Sequence, residues 1–169
     1  TKSIFVDAEY GWVIGDSGTV IRTTNSGAAW TVQQTGIFSS ELRDITFISR
    51  NSGWIIANDS TYKTFILRTT NSGVNWIKSY YPDTTVILST IFFTDQFTGF
   101  VSGYNGEIYR TTNGGANWKT TYIDTTSCLY LFPKHDILFI NSQTGFVCGG
   151  VLDLQGVFIK TTDAGSNWF

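Results

Sequence analysis

The chain has 169 residues, 41% of them hydrophobic and 16% aromatic, with two Pro, no Met and a formal net charge of −2. That apolar share is ample for a buried core, and a slightly acidic chain has no electrostatic attraction for nucleic acid. No apolar run approaches the roughly 20 residues of a membrane-spanning helix, so membrane insertion is not expected.

Four similar units follow one another. The first sets Phe5 six residues before Gly11-Trp12 and passes Arg22 into the box TTNSGAAW, residues 23–30. The second has Phe47, Gly53-Trp54, Arg68 and TTNSGVNW ending at Trp76. The third has Phe93, Gly99-Phe100, Arg110 and TTNGGANW ending at Trp118. The fourth has Phe139, Gly145-Phe146, Lys160 and TTDAGSNW ending at Trp168. The box tryptophans lie 46, 42 and 50 residues apart, the spacing of a repeated supersecondary unit. From the glycine to the box tryptophan the count is 19, 23, 19 and 23, so the second and fourth units carry four extra residues in one loop.

Within a unit, short runs rich in Val, Ile, Phe, Thr and Trp alternate with Gly, Asn, Asp and Ser clusters, as in DITFIS, GWIIA, FILRTT and NWIKSYY of the second. No stretch holds the three-to-four spacing of an amphipathic helix. Four antiparallel strands per repeat of this length describe a propeller blade. The expected fold is all-β: a β-propeller of four consecutive four-stranded blades, near 1–36, 37–82, 83–126 and 127–169, forming an open part of a larger ring. A closed four-bladed ring is the alternative. The last blade is expected to lack its outer strand, and the absence of Met fits a processed or excised piece. An open arrangement exposes a sheet edge and an apolar face. Remaining blades of a longer chain, or a protein partner, are expected to cover them.

The box reads as a fastener between the third and fourth strands. Thr23, Asn25, Gly27 and Trp30 recur as Thr69, Asn71, Gly73 and Trp76, as Thr111, Asn113, Gly115 and Trp118, and as Thr161, Asp163, Gly165 and Trp168. The Asn or Asp side chain can bond nearby backbone N–H groups, glycine can take a positive φ, and Trp can cover the turn.

This pattern, Ser/Thr-x-Asp/Asn-x-Gly-x-x-Trp, resembles the Asp box of the BNR repeats. The whole unit is most similar to repeats of the photosystem II stability/assembly factor family and its bacterial relatives. The resemblance implies a seven-bladed parent and a non-catalytic protein-binding or assembly scaffold. In that family an arginine patch serves partner binding, and Arg22, Arg68, Arg110 and Lys160 are candidate counterparts. Asp boxes also occur in sialidases, xyloglucan-degrading hydrolases and sortilin-type receptors, so part of a glycan-binding or glycoside-hydrolase propeller is the alternative function.

The basic column holds one residue per blade, a distribution that cannot converge on one carboxylate. Asp44 and Asp136 share a column at the start of the innermost strand, and Asp7 and Asp95 share one in the following turn. Either pair invites comparison with the two carboxylates of glycoside hydrolysis, but capping of local backbone is the stronger reading. No catalytic residue is assigned. Partner contacts are expected on the long loops near Tyr62, Lys63, Leu152 and Leu154. A glycan would instead stack on exposed Tyr80, Tyr81, Tyr104 and Tyr130. His135 is placed in the loop entering the fourth blade, with no second ligand at metal spacing. Cys128 and Cys148 fit equally two buried free thiols or one disulfide. Asn58 opens a chance glycosylation sequon. No metal or cofactor is expected. Few Lys and Glu among many Thr, Ser and Asn fit a periplasmic or extracellular location.

Overall fold

The computed structural model describes residues 1–38, 40–83, 85–124, 132–151 and 155–169. Cys128, Tyr130, Leu152 and Leu154 lie outside the described residues. The chain divides into two compact units, residues 1–85 and 86–169.

Strands β1 (Lys2–Phe5), β2 (Gly11–Ile14), β3 (Val20–Thr23) and β4 (Thr31–Gln33) form the first sheet of the first unit, in that order. A second sheet follows, β5 (Glu41–Phe47), β6 (Gly53–Asn58), β7 (Thr64–Thr69) and β8 (Ile77–Tyr80). In the second unit β9 (Leu88–Phe93), β10 (Gly99–Gly103), β11 (Ile108–Thr111) and β12 (Lys119–Thr120) make a third meander. After β13 (Tyr122–Ile123), the fourth sheet comprises β14 (Lys134–Phe139), β15 (Gly145–Val151) and β16 (Gln155–Thr161). All pairs within these sheets are antiparallel. The helical content among the described residues is one 3-10 turn, Asp16–Gly18, in the β2–β3 hairpin.

Among the described residues the fourth sheet has three strands, and a further, outer strand has a start beside β16. Lys160 and Phe169 exchange both backbone hydrogen bonds, and β17 (Asn167–Trp168) pairs in parallel with β13.

The repeated Phe and Gly columns have a steric cause. Phe5, Phe47, Phe93 and Phe139 sit directly across the ladder from Gly11, Gly53, Gly99 and Gly145. Each ring lies over its glycine, so that a Cβ there would fall 2.6, 2.5, 2.5 and 2.8 Å from ring carbons. The same rings meet the box tryptophans edge-on, with centroids 6.1, 6.0, 6.1 and 5.9 Å apart. Glycine, phenylalanine and tryptophan are therefore one packing element.

Packing between neighbouring blades uses the residue after the glycine. Trp12 stacks on Phe47 at 3.7 Å in the first unit, and Phe100 on Phe139 at 4.6 Å in the second. Around the first pair gather Ile14, Val20, Ile45, Ile55 and Leu67; around the second, Ile108, Ile137, Val147 and Ile159. Such stacked pairs contribute about 0.5–1.5 kcal/mol beyond the area they bury.

The first strands of the last three blades carry a β-bulge, which column alignment alone does not reveal. The register slips between Leu42 and Asp44, between Leu88 and Thr90, and between Lys134 and Asp136. Arg43, Ser89 and His135 are the extra residues. His135 is therefore on a strand, not in a loop, because the bulge extends the pairing upstream; its Nε2 lies 3.0 Å from the Gly150 carbonyl. Lys134 occupies the position of buried Leu42 and Leu88 and is itself fully buried, with Nζ donating to the Phe132 carbonyl at 2.6 Å. Burial pushes its amine down to about 8.

Candidate functional site

The box closes on itself by the same bonds four times. Thr23 Oγ1 donates to Asn25 Oδ1 (2.9 Å) and accepts from Gly27 N (2.9 Å), while Asn25 Oδ1 accepts from Ala29 N (2.8 Å). The sets on Thr69, Thr111 and Thr161 repeat this with Asn71, Asn113 and Asp163. Two successive residues take the left-handed conformation in each turn, as Ser26 (φ 61°) and Gly27 (φ 85°) do. The amide of the first of them reaches the carbonyl of Glu9, Asn51, Phe97 or Gln143, in the turn between the first two strands. That turn is itself capped by Asp7, Ser49, Asp95 or Asn141, each accepting two backbone amides. In each blade the box and the turn it reaches are thus held by hydrogen bonds of their own side chains and backbone.

One box can titrate. Hydrogen bonds from the Asn167 side chain and amide hold the Asp163 carboxyl at about 2. A depressed carboxylate contributes stability above its ordinary range that is lost as pH falls through the folded value, here from about 4 to about 2. The Asn167 amide resonance is expected to move with a midpoint near that lower value. In Asp163→Asn, which copies the other three boxes, that movement should vanish; a persisting titration would contradict the assignment.

The basic column lies across the ladder from the stacking aromatics: Arg22 from Trp12, Arg68 from Trp54, Arg110 from Phe100 and Lys160 from Phe146. Arg22 Nη1 donates to the Ser72 carbonyl at 3.1 Å beside Trp12 Nε1 at 3.2 Å, tying the first blade to the box of the second. Arg68 stands 5.6 Å above the Trp54 ring. One member opens onto a cavity. Arg110, Asn113, Lys119, Thr121, Tyr122 and Ser166 border a cleft of about 630 Å³, where β13 runs beside the fourth box. Among the described residues its lining includes two cations and no carboxylate, and the buried Nε of Arg110 has no hydrogen-bond partner. Lys119 and Tyr122 are invisible to column reasoning, since Thr31 and Ile77 take the place of Lys119 in the first two blades.

Each carboxylate candidate is engaged locally. Asp44, buried in the first unit, accepts from Ile45 N at 2.8 Å and pairs with Lys2 at 3.1 Å. Asp136, in the second, accepts from Ile137 N at 2.9 Å. Both fix bulges. Asp7 pairs with Arg50 at 2.6 Å, and the Glu9 and Tyr10 amides with that guanidinium hold its carboxyl below the usual range.

Of the aromatic candidates Tyr80 and Tyr104 are exposed, but Tyr81 is buried, because its amide extends the β8 edge to the Thr64 carbonyl and turns the ring inward. Tyr62 is exposed in a left-handed turn (φ 62°) beside exposed Lys63. Cys148 is a free, exposed thiol on β15, not a buried one, since it shares the uncovered face of the fourth sheet. Asn58 of the sequon is buried at the end of β6, with its side-chain amide 2.9 Å from Thr64 Oγ1. Among the described residues no group of His, Cys, Asp and Glu could hold a metal ion.

No protein-family model and no curated protein sequence matches the chain. Solved structures do. A structure of YCF48 bound to a D1 peptide aligns with TM-score 0.71 at 18% identity, over 98% of this chain and 52% of that one. YCF48 from Cyanidioschyzon merolae gives 0.71 at 19%, over 99% and 54%. The GH74 xyloglucanase from Xanthomonas campestris gives 0.68 at 10%, over 99% and 29%. This chain thus spans about half the length of the YCF48 chains. At such identities the likeness is one of fold: four consecutive BNR-like β-propeller blades, similar to those of the photosystem II assembly factor YCF48.

Proposed function

We propose that the chain is a non-catalytic binding scaffold whose cleft beside β13 receives an extended, acidic segment of a protein partner. The observation that carries this reading is the lining of the cleft: Arg110 and Lys119 with no carboxylate among the described residues, in a chain of net charge −2. The binding of a D1 peptide by YCF48 supports a protein partner, and the hydrogen bonding of Asp7, Asp44, Asp95 and Asp136 in turns and bulges supports the absence of catalysis. Arg22, Arg68, Lys160, Tyr62 and Lys63 are secondary contacts in this reading.

The test is fluorescence anisotropy with a labelled glutamate-rich peptide. Binding is expected to weaken as salt rises and to fall about tenfold or more in Arg110→Ala/Lys119→Ala, the loss of about 1.4 kcal/mol. Affinity unchanged by the double substitution would reject the cleft. Release of reducing ends from xyloglucan by the unaltered chain would reject the scaffold and favour the glycan-active reading.

A further inference from the structure

The third blade sets two cations against each other. On the ladder between β11 and β12, Arg110 stands directly opposite Lys119. The same position pairs Arg22 with Thr31, Arg68 with Ile77 and Lys160 with Phe169, so in the other blades a basic residue faces a neutral one. Side chains of such a pair leave the same face of the sheet with Cβ atoms about 4.5–5.5 Å apart, and like charges so placed are destabilising. Among the described residues no carboxylate in the lining of the cleft offsets them.

In the first two blades the guanidinium has a place within the fold: Arg22 donates to the Ser72 carbonyl, and Arg68 stands over the Trp54 ring. Arg110 makes neither kind of contact among the described residues, and its buried Nε is without a partner. The hydroxyls of Thr112 and Ser166 and the side-chain amide of Asn117 border the same cleft. Among the described residues none of the three is engaged in a hydrogen bond, so further donors surround the two cations.

The anion that matches this arrangement carries more than one charge on a single group. A carboxylate has one charge and neutralises one cation. A phosphomonoester carries about −1.5 to −2 near pH 7 and offers three acceptor oxygens. Two of those oxygens suit the forked guanidinium, and the charge left over suits the compact ammonium. We infer that the acidic segment received by the cleft bears a phosphorylated side chain seated between Arg110 and Lys119, so that phosphorylation of the partner strengthens docking. The inference rests on the reading of the cleft as a protein-binding site and adds the chemistry of the group bound there.

Labelled glutamate-rich peptides, alike except for Ser, Glu or phosphoserine at the central position, are compared by fluorescence anisotropy. Near neutral pH the phosphoserine peptide is expected to bind at least about tenfold more tightly than the Glu peptide. Its advantage should fade as pH falls through about 6, where the phosphate loses its second charge. Among the described residues no His, Asp or Glu lines the cleft to titrate in its place. Lys119→Thr, which copies Thr31 at an exposed position, should remove most of the advantage while changing the affinity of the Glu peptide less than about threefold. Equal binding of the phosphoserine and Glu peptides, or an advantage that survives Lys119→Thr or persists below about pH 5, would overturn the inference and leave a cleft for acidic segments. Failure of every peptide to bind would overturn the cleft and the inference with it. Displacement of the bound phosphopeptide by an equal concentration of inorganic phosphate would show a site for the free anion, and would overturn it too.

Discussion

Phe139→Ala is expected to lower the stability of the second unit by about 3–5 kcal/mol, the range for deleting a buried aromatic ring. The ring stacks on Phe100 at 4.6 Å and on Phe92 at 5.9 Å, meets Trp168 edge-on at 5.9 Å, and lies over Gly145. Removing it empties the centre of the cluster that joins the third and fourth sheets. Gly145→Ala should cost about 1–3 kcal/mol by the opposite route, because the added methyl meets ring carbons at 2.8 Å and the ring is held on its other sides. When both changes are made the methyl no longer has a ring to strike. The double variant should therefore be less destabilised than the sum, with a coupling of about 1 kcal/mol or more. Urea denaturation of the four proteins measures this; additivity within about 0.3 kcal/mol would show that the ring and the glycine do not act as one element.

Lys134→Leu is expected to raise stability by about 1–3 kcal/mol, since it replaces a buried cation by the residue found in that column in two other blades. The amine is fully buried, and burial holds it near 8 in the folded chain against 10.5 ordinarily. Between those values the unfolded chain binds more protons than the folded one, so the stability supplied by this group rises with pH through that window. In Lys134→Leu the rise should disappear, leaving the two proteins closest in stability at the alkaline end. Denaturation midpoints compared at successive pH values from neutral to about 10 give the difference directly. A difference that stays constant would mean that the amine remains protonated on folding without cost.

Much of this architecture is legible in the sequence because it repeats. Gly11, Gly53, Gly99 and Gly145 are needed for one steric reason, and a requirement imposed four times survives as a column even without a single related sequence for comparison. The box is legible for the same reason, and its Thr and Asn residues do in the structure what their side chains permit. The bulges are not, because an extra residue in one strand changes pairing without changing the spacing from Phe to Gly. His135 falls on a strand and not in a loop on that account. The cleft beside β13 is least legible. Lys119 and Tyr122 belong to it as departures from the repeat, and a departure carries no sign of whether it is tolerated or used. Lys134 did leave a trace: a lysine interrupts the apolar column of Leu42 and Leu88.

The lock between the two turns of each blade spans little chain. From the carbonyl of the first turn to the left-handed amide of the box the separations are 17, 21, 17 and 21 residues. Contacts this local are reached with a small loop-closure penalty. A blade can therefore fasten its own ends while the next is still emerging from the ribosome, which shortens the time its edges stand open to other nascent chains. The same locality bears on ancestry. Duplicating a stretch of about 45 residues, within the blade lengths seen in repeat propellers, copies lock and fastening together, and the new blade arrives able to hold its shape before any neighbour has adapted to it.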